Sequence, residues 1–382
     1  MAAQQNILLF GLSLSLLTDW FMTLGLVFGG CCSNAITLER ITSQYPRSGT
    51  LITFAQFLVI SLHGLPKFVT FTHGIPHLKP RRIPITPYLL QVGLFYLISL
   101  LNNAAFAYRI PMPVHIIFRS GGLVISMTMG WLILGKRYLP SQVLSVVVVT
   151  LGVLFTTLSA TQGKASASQI SQAPPLFTYL TGIAVLTVAL LMSGLLGIVQ
   201  DRTYTAYGRK QAAVKTAKTP EHSDPDEALP DVWEESMFYL HFLSLPMFVF
   251  VRHDLVAQTR HVLSDRSLSY SLPAAVLNVL PKATPFEFAM PSALPALLLN
   301  TSTQLICVAG VNRLTTRVAA LTVTLVLVVR KAASLILSVL LFDGAPLDTR
   351  ASLLLWSGAA LVFAGTVGYT LSGRIKPKAK TE

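Results

Sequence analysis

"TVTLVLVVRKAASLILSVLLF", residues 322–342, is long enough to cross a bilayer and almost wholly apolar, yet Arg330 and Lys331 sit side by side near its middle. A run of about 20 apolar residues spans the hydrocarbon core as a helix. A cation facing lipid there costs roughly 3 kcal/mol on insertion scales. Two in a row double the burden, and snorkelling relieves the centre of a helix poorly. The arrangement that relieves it turns both side chains toward a water-filled cavity that receives an anion.

Working outward, the whole chain shares this character. Of its 382 residues, 52% are hydrophobic and only 12% are charged; a soluble chain carries about a quarter charged residues. Runs this apolar need lipid rather than a globular core, so the lipid bilayer is the expected surrounding. The net charge of +13 raises nucleic acid as a partner. No aromatic-plus-basic RNA motif accompanies it, and basic cytosolic loops account for it, so no nucleic acid is expected.

The length rule gives ten candidate helices, near 16–38, 49–70, 88–108, 112–134, 139–160, 176–199, 235–252, 290–311, 316–342 and 351–372. The seventh is short and carries His241 and Pro246. With ten spans both termini lie on one side. That side holds 16 Lys and Arg residues and the other side 9. The positive-inside rule therefore puts both termini in the cytosol.

The fourth and ninth spans share a plan of an arginine, an apolar stretch and a turn, and each precedes a glycine-bearing span. The fold class expected is thus an all-α integral membrane protein, with ten transmembrane helices in two inverted five-helix repeats. Residues 1–160 form the first repeat, 161–175 a lumenal connection and 176–382 the second repeat. Within the second, 203–234 reads as a disordered cytosolic loop and 253–289 as a lumenal loop with one interfacial helix.

Polar side chains inside the spans are the candidate site. Thr324, Lys331, Ser334 and Ser338 are spaced by seven, three and four, which makes one stripe along the ninth helix. Arg119 lies in the matching helix of the other half, with His115 four residues before it on the same face. Asn300 and Gln304 form a further i,i+4 pair. No acid inside the spans neutralises these cations, since Asp19 and Asp343 lie near span ends. A cluster of Arg and Lys wants an anion, and phosphate suits the arginine fork. Other readings stay open: Arg119 snorkels to the lumenal side, and His115, Asn300 and Gln304 bond helix to helix. The Gly-Gly pairs at 29–30 and 121–122 read as close helix packing.

No covalent chemistry is visible. There is no phosphate-binding glycine loop and no nucleophile elbow. A membrane-embedded transferase would need carboxylates or histidines to bind metal and activate a nucleophile, and the spans supply almost no acids. Neither a metal nor a cofactor is expected. Cys31, Cys32 and Cys307 lie in apolar stretches without metal-ligand spacing and read as free thiols filling small spaces.

Four stretches resemble a known family. "FGGCCSNAITLE" (28–39), "LITFAQFLVIS" (51–61), "MPVHIIFRSGGLVISMTMGWLILGKRY" (112–138) and "TQLICVAGVNRLTTRVAALTVTLVLVVRKAASLILSVLLF" (303–342) are similar to nucleotide-sugar transporters of solute carrier family 35. Within it they most resemble the branch carrying UDP-N-acetylglucosamine and UDP-xylose, fungal members included. The matches keep their order across both halves.

The resemblance implies the drug/metabolite transporter fold and antiport of a cytosolic UDP-sugar for lumenal UMP. It places Lys331 where the family's ninth helix presents a lysine to the phosphates, with Arg330 as its motif partner. Arg119 falls in the family's "FRSG" motif. Tyr96 and the polar helix faces are expected to read uridine and sugar. The chain departs from the family pattern at Arg317, where an acidic or neutral residue is more usual. UDP-N-acetylglucosamine is the first cargo expected and UDP-xylose the second. UDP-galactose, GDP-mannose or a phosphorylated metabolite is the alternative within the same fold. Location in the endoplasmic reticulum or Golgi membrane follows, and a homodimer is compatible with it. Lys378 and Lys380, five and three residues from the end of the chain, resemble a cytosolic dilysine retrieval signal.

Overall fold

The computed structural model describes residues 17–45, 48–72, 75–107, 121–162, 176–209, 230–264, 267–270, 288–342 and 349–372. The helices are α1 (Leu17–Thr42), α2 (Gly49–Phe68), α3 (Ile85–Ala107), α4 (Gly122–Leu134), α5 (Pro140–Gln162) and α6 (Leu176–Tyr204). After them come α7 (Val232–Phe242), α8 (Arg252–Leu263), α9 (Ala293–Thr315), α10 (Ala320–Phe342) and α11 (Thr349–Ser372). Among the described residues, eight helical stretches are long and apolar enough to cross a membrane. The chain is a multi-pass membrane protein. Its outward faces agree: Phe177, Leu353 and Phe363 are 82%, 70% and 72% exposed, which suits lipid and not water.

Every expected span meets a helix. Of the fourth, residues 121–134 are described, and α4 covers the last 13 of them. Gly135 closes it at φ 62°, a conformation that glycine adopts without strain, and Lys136 N–H bonds back to Gly130 O at 3.1 Å. The seventh span is broken. α7 stops at Phe242, a 3-10 stretch covers Leu245–Val251 with Pro246 at its start, and α8 continues to Leu263. Proline lacks the N–H an α-helix needs and crowds the carbonyl four residues back, so the chain tightens there. The helices are joined in part by two short ribbons. Val69–Thr72 pairs with Ile75–Leu78, and Ser267–Tyr270 with Phe288–Pro291, both antiparallel. Most of 203–234, and 271–287 of the second loop, lie outside the described residues, as does 163–175.

The chain gathers into two compact units that interleave along the sequence. The first comprises 1–24, 80–236 and 311–382, and the second 25–79 and 237–310.

In the first unit α5 and α11 run antiparallel and touch backbone to backbone. A Cβ on Gly152 would lie 2.7 Å from Gly358 O, and one on Gly358 would lie 2.7 Å from Gly152 O. Val362, four residues past Gly358, faces Gly152; Thr156, four past Gly152, faces Gly358. Gly365 meets Ser145, and in the mirrored place Ser159 Oγ donates to Ala351 O at 2.6 Å. Each contact has its counterpart, so the pair carries a local two-fold axis through the two glycines. Beside it Leu123, Val146, Val149, Leu321, Leu325 and Val328 form one core that ties α10 to α4 and α5. At the head of α7, Glu235 is 2% exposed and accepts from Arg82 N–H (2.8 Å), Ile83 N–H (3.0 Å) and Tyr88 Oη (3.2 Å). A buried carboxylate is tolerated when such donors surround it.

In the second unit α1 and α9 are the close pair. A Cβ on Gly310 would lie 2.7 Å from Val27 N, and one on Gly30 would lie 2.8 Å from Cys307 N. Gly29 and Gly122 have nothing so near, so Gly30, unlike those two, meets a neighbour's backbone. This approach brings the Cα atoms of Cys31 and Cys307 to 4.4 Å, and the two form a disulfide. The expectation of three free thiols is therefore corrected: Cys32 alone is free, and buried. Residues 276 positions apart give no local signal of pairing. α2 joins through aromatic contacts, with Phe68 stacked on Phe238 at 4.9 Å and Phe57 and Phe54 edge-on to Phe248.

Two outcomes follow. Gly358→Leu drives a side chain into backbone atoms that cannot yield, and overpacking of that kind costs about 1–3 kcal/mol. It lowers the melting temperature of the detergent-purified protein, while Gly93→Ala, with nothing within 4 Å, does not. Alkylation of the unreduced protein followed by peptide mass mapping finds Cys32 labelled after unfolding and the Cys31 and Cys307 peptides linked.

Candidate functional site: a cationic helix and two polar clusters

α10 carries the cations as its sequence requires. Its buried residues are Leu321, Val323, Leu325, Val328 and Ala332; all but Val323 are spaced by four, three and four, one stripe of an α-helix. Arg330 and Lys331 stand off that stripe. Lys331 is the twelfth of 23 residues and so its midpoint; it is exposed, and Arg330 is half-buried. Thr324 is half-buried and lies 3.3 Å from Ser126 Oγ of α4. Ser334 is half-buried on the same helix. Ser338 belongs to α10 by its backbone, and its side chain lies outside the described residues. Tyr96 is half-buried on α3. All of these belong to the first unit. His115 and Arg119 lie outside the described residues.

Asn300 and Gln304 belong to the second unit and bond helix to helix. Asn300 is 0% exposed. Its Oδ1 accepts from Gln56 Nε2 of α2 at 2.7 Å. Its Nδ2 donates to Asn34 Oδ1 and Thr37 Oγ1 of α1, each at 3.1 Å. Gln304 Oε1 accepts from Asn34 Nδ2 at 2.6 Å, and Thr37 and Thr303 hydroxyls meet at 3.1 Å. Together with the disulfide one turn below, this network zips α1 to α9. Of the two readings left open for Asn300, the structure supplies the interhelical one.

A third cluster was not singled out in the sequence. Asp19 of α1 takes Arg313 of α9 on one carboxylate oxygen and Arg317 on the other. Arg317 Nη1 also donates to Thr23 Oγ1 at 3.3 Å, and the Arg313 guanidinium lies 5.9 Å from the Trp233 ring centre. The available signals were an acid in an apolar stretch and two arginines at i,i+4. Neither says that the two meet, because about 300 residues separate them. Among the described residues, no group of three or more His, Cys, Asp or Glu could hold a metal ion.

The profile of the UAA transporter family matches residues 19–214 and 227–373. The chain belongs to the UAA transporter family. Curated relatives extend the match along nearly the whole length. It is 36% identical over 362 residues to the Saccharomyces cerevisiae "UDP-N-acetylglucosamine transporter YEA4", covering 92% of this chain and 94% of that one. It is 37% identical over 352 residues to the human "Nucleotide sugar transporter SLC35B4", covering 91% and 93%. It is 36% identical over 348 residues to the Danio rerio "UDP-xylose and UDP-N-acetylglucosamine transporter", covering 90% and 92%. A solved chain titled "Crystal structure of protein" shares the fold, with a TM-score of 0.53 at 15% identity over 92% of this chain and 99% of that one. A UAA transporter is not an enzyme, so the membrane transferase considered from the sequence is set aside.

The Asn300 network has a measurable weight. Interhelical hydrogen bonds in membranes contribute about 0.6 kcal/mol each, so Asn300→Ala, which removes three, costs about 2 kcal/mol. The nucleotide-free protein melts lower as a result. Ser302→Ala, whose hydroxyl bonds only to Leu298 O of its own helix, leaves the melting temperature nearly unchanged.

Proposed function

We propose that this UAA transporter is an antiporter for UDP-N-acetylglucosamine, with UDP-xylose as a second cargo, that returns UMP by alternating access. The observation that carries the reading is the Arg330–Lys331 pair at the midpoint of an apolar helix that contains no acid. Cations so placed answer the charge of a bound phosphate, which both UDP-sugar and UMP carry. The printed names of relatives similar over nine-tenths of the chain support the UDP-sugar class.

In this reading Lys331 and Arg330 hold the phosphates, with Arg119 and His115 as proposed contributors from the other half. Thr324, Ser334, Ser338 and Tyr96 are the proposed polar and aromatic contacts for uridine and sugar. Asn300 and Gln304 are assigned to the helix network. The ten spans form two inverted five-helix repeats, and the local two-fold axis between α5 and α11, the last helix of each repeat, supports that arrangement. Both termini face the cytosol and the membrane is that of the endoplasmic reticulum or Golgi.

The test is nucleotide binding to purified Lys331→Ala. A charge-assisted hydrogen bond contributes roughly 1.5–3 kcal/mol, so UDP-N-acetylglucosamine and UMP both weaken by about 10- to 100-fold, and uridine far less. The empty protein keeps or gains melting temperature, because removing one of two adjacent cations lowers the repulsion between them. A variant that melts much lower yet keeps the full stabilisation by UMP overturns the phosphate role. In proteoliposomes, UMP preloading accelerates uptake of UDP-N-acetylglucosamine and GMP preloading does not; equal acceleration by both removes the uridine reading.

A further inference from the structure

Arg313 and Arg317 are a second pair of cations, and they too are set out as if for an anion. Arg313 lies in the last turn of α9, and Arg317 lies in the turn three residues before α10 begins. Side by side at i,i+4, two arginines repel unless an anion lies between them. That place is filled by the Asp19 carboxylate, one oxygen to each guanidinium. One carboxylate leaves the cluster with an excess positive charge. It also leaves donors over: Arg313 Nε is buried and makes no hydrogen bond among the described residues. The side chains are 23%, 29% and 32% exposed for Arg313, Arg317 and Asp19, so none is sealed within the helix packing. Ion pairs that are not buried hold little, which makes Asp19 an exchangeable occupant and not a staple.

We propose that Arg313 and Arg317 form a second anion site, which takes a phosphate group, and that Asp19 is its tethered resident, displaced when the phosphate arrives. A phosphate brings about 1.5 to 2 negative charges and three acceptor oxygens, so it satisfies both forks more fully than one carboxylate does. Trp233 gives the site an apolar wall on the Arg313 side. The site stands at the turn that leads into the helix of Arg330 and Lys331, so phosphate bound there and phosphate bound at the midpoint act on the same element. The identity of the phosphate as that of a nucleotide sugar rests on the function proposed above; the site itself does not.

Inorganic pyrophosphate is therefore the probe, titrated calorimetrically against the detergent-purified full chain. Asp19→Asn removes the resident anion, and pyrophosphate binds about fivefold more tightly, the equivalent of one exposed ion pair. Adding Arg317→Gln to Asp19→Asn abolishes the gain, and adding Lys331→Ala does not. Unchanged affinity in Asp19→Asn overturns the proposal, as does a gain that Lys331→Ala removes. If Asp19→Asn does not fold, Arg317→Gln in the otherwise native chain carries the test: pyrophosphate binds about fivefold more weakly, and unchanged binding overturns the site. UMP binding to the native chain separates the two claims. A chain that binds pyrophosphate through Arg317 and fails to bind UMP keeps this site and loses the cargo reading.

Discussion

A charge at the midpoint of an apolar helix has nowhere to go. Lys331 is half a helix from either end of α10, and its own stem is too short to reach water along the membrane normal. The surrounding structure has to supply what the lipid denies. The side of α10 given to Leu321, Leu325 and Val328 is packed against α4 and α5, which leaves the cationic side out of that core. The same division runs along the molecule. Apolar stripes bind helix to helix or face lipid, and polar side chains either meet one another or stand ready for something charged.

Close helix approach is how the protein meets the first half of that demand. Between two apolar helices in lipid there is no hydrophobic gain, so association depends on contact area and on hydrogen bonds. Glycines supply the contact. Gly152 and Gly358 let α5 and α11 touch at the backbone, and Gly30 and Gly310 do so for α1 and α9. The second pair then adds a disulfide and an amide network on one continuous seam. Once α1 is held this closely, Asn34 can reach Asn300 and Gln304 only as a partner in the seam.

The polar clusters differ in how completely they are satisfied, and that difference sorts them. Asn300 spends its amide on three side chains and is closed to solvent. Glu235 spends its carboxylate on two backbone N–H groups and a tyrosine. These are structural groups by the measure of saturation. The arginines at 313 and 317 share one carboxylate between them, and the cations of α10 have no acid on their own helix. That concentration of positive charge is the observation on which the proposed phosphate-bearing solute rests.

The amino-acid sequence alone determined the parts that depend on local composition. Run length and hydropathy located most of the described helices to within a few residues, because a bilayer selects segments by thickness and apolarity. The register of the Thr324–Lys331–Ser334 stripe and the midpoint position of Lys331 also follow from helical spacing along one segment. The stop at Phe242 was foreshadowed by Pro246. What only the tertiary structure decided are the pairings across long separations: Cys31 with Cys307, Asp19 with Arg313 and Arg317, Glu235 with the turn at Arg82 and Ile83, and Asn300 with Asn34 and Gln56. Each side chain reads the same in the sequence whether its partner is a neighbour helix, a ligand or water. Which it is depends on which helices come within hydrogen-bond reach, and that is set by the glycine contacts of the fold and not by any local pattern.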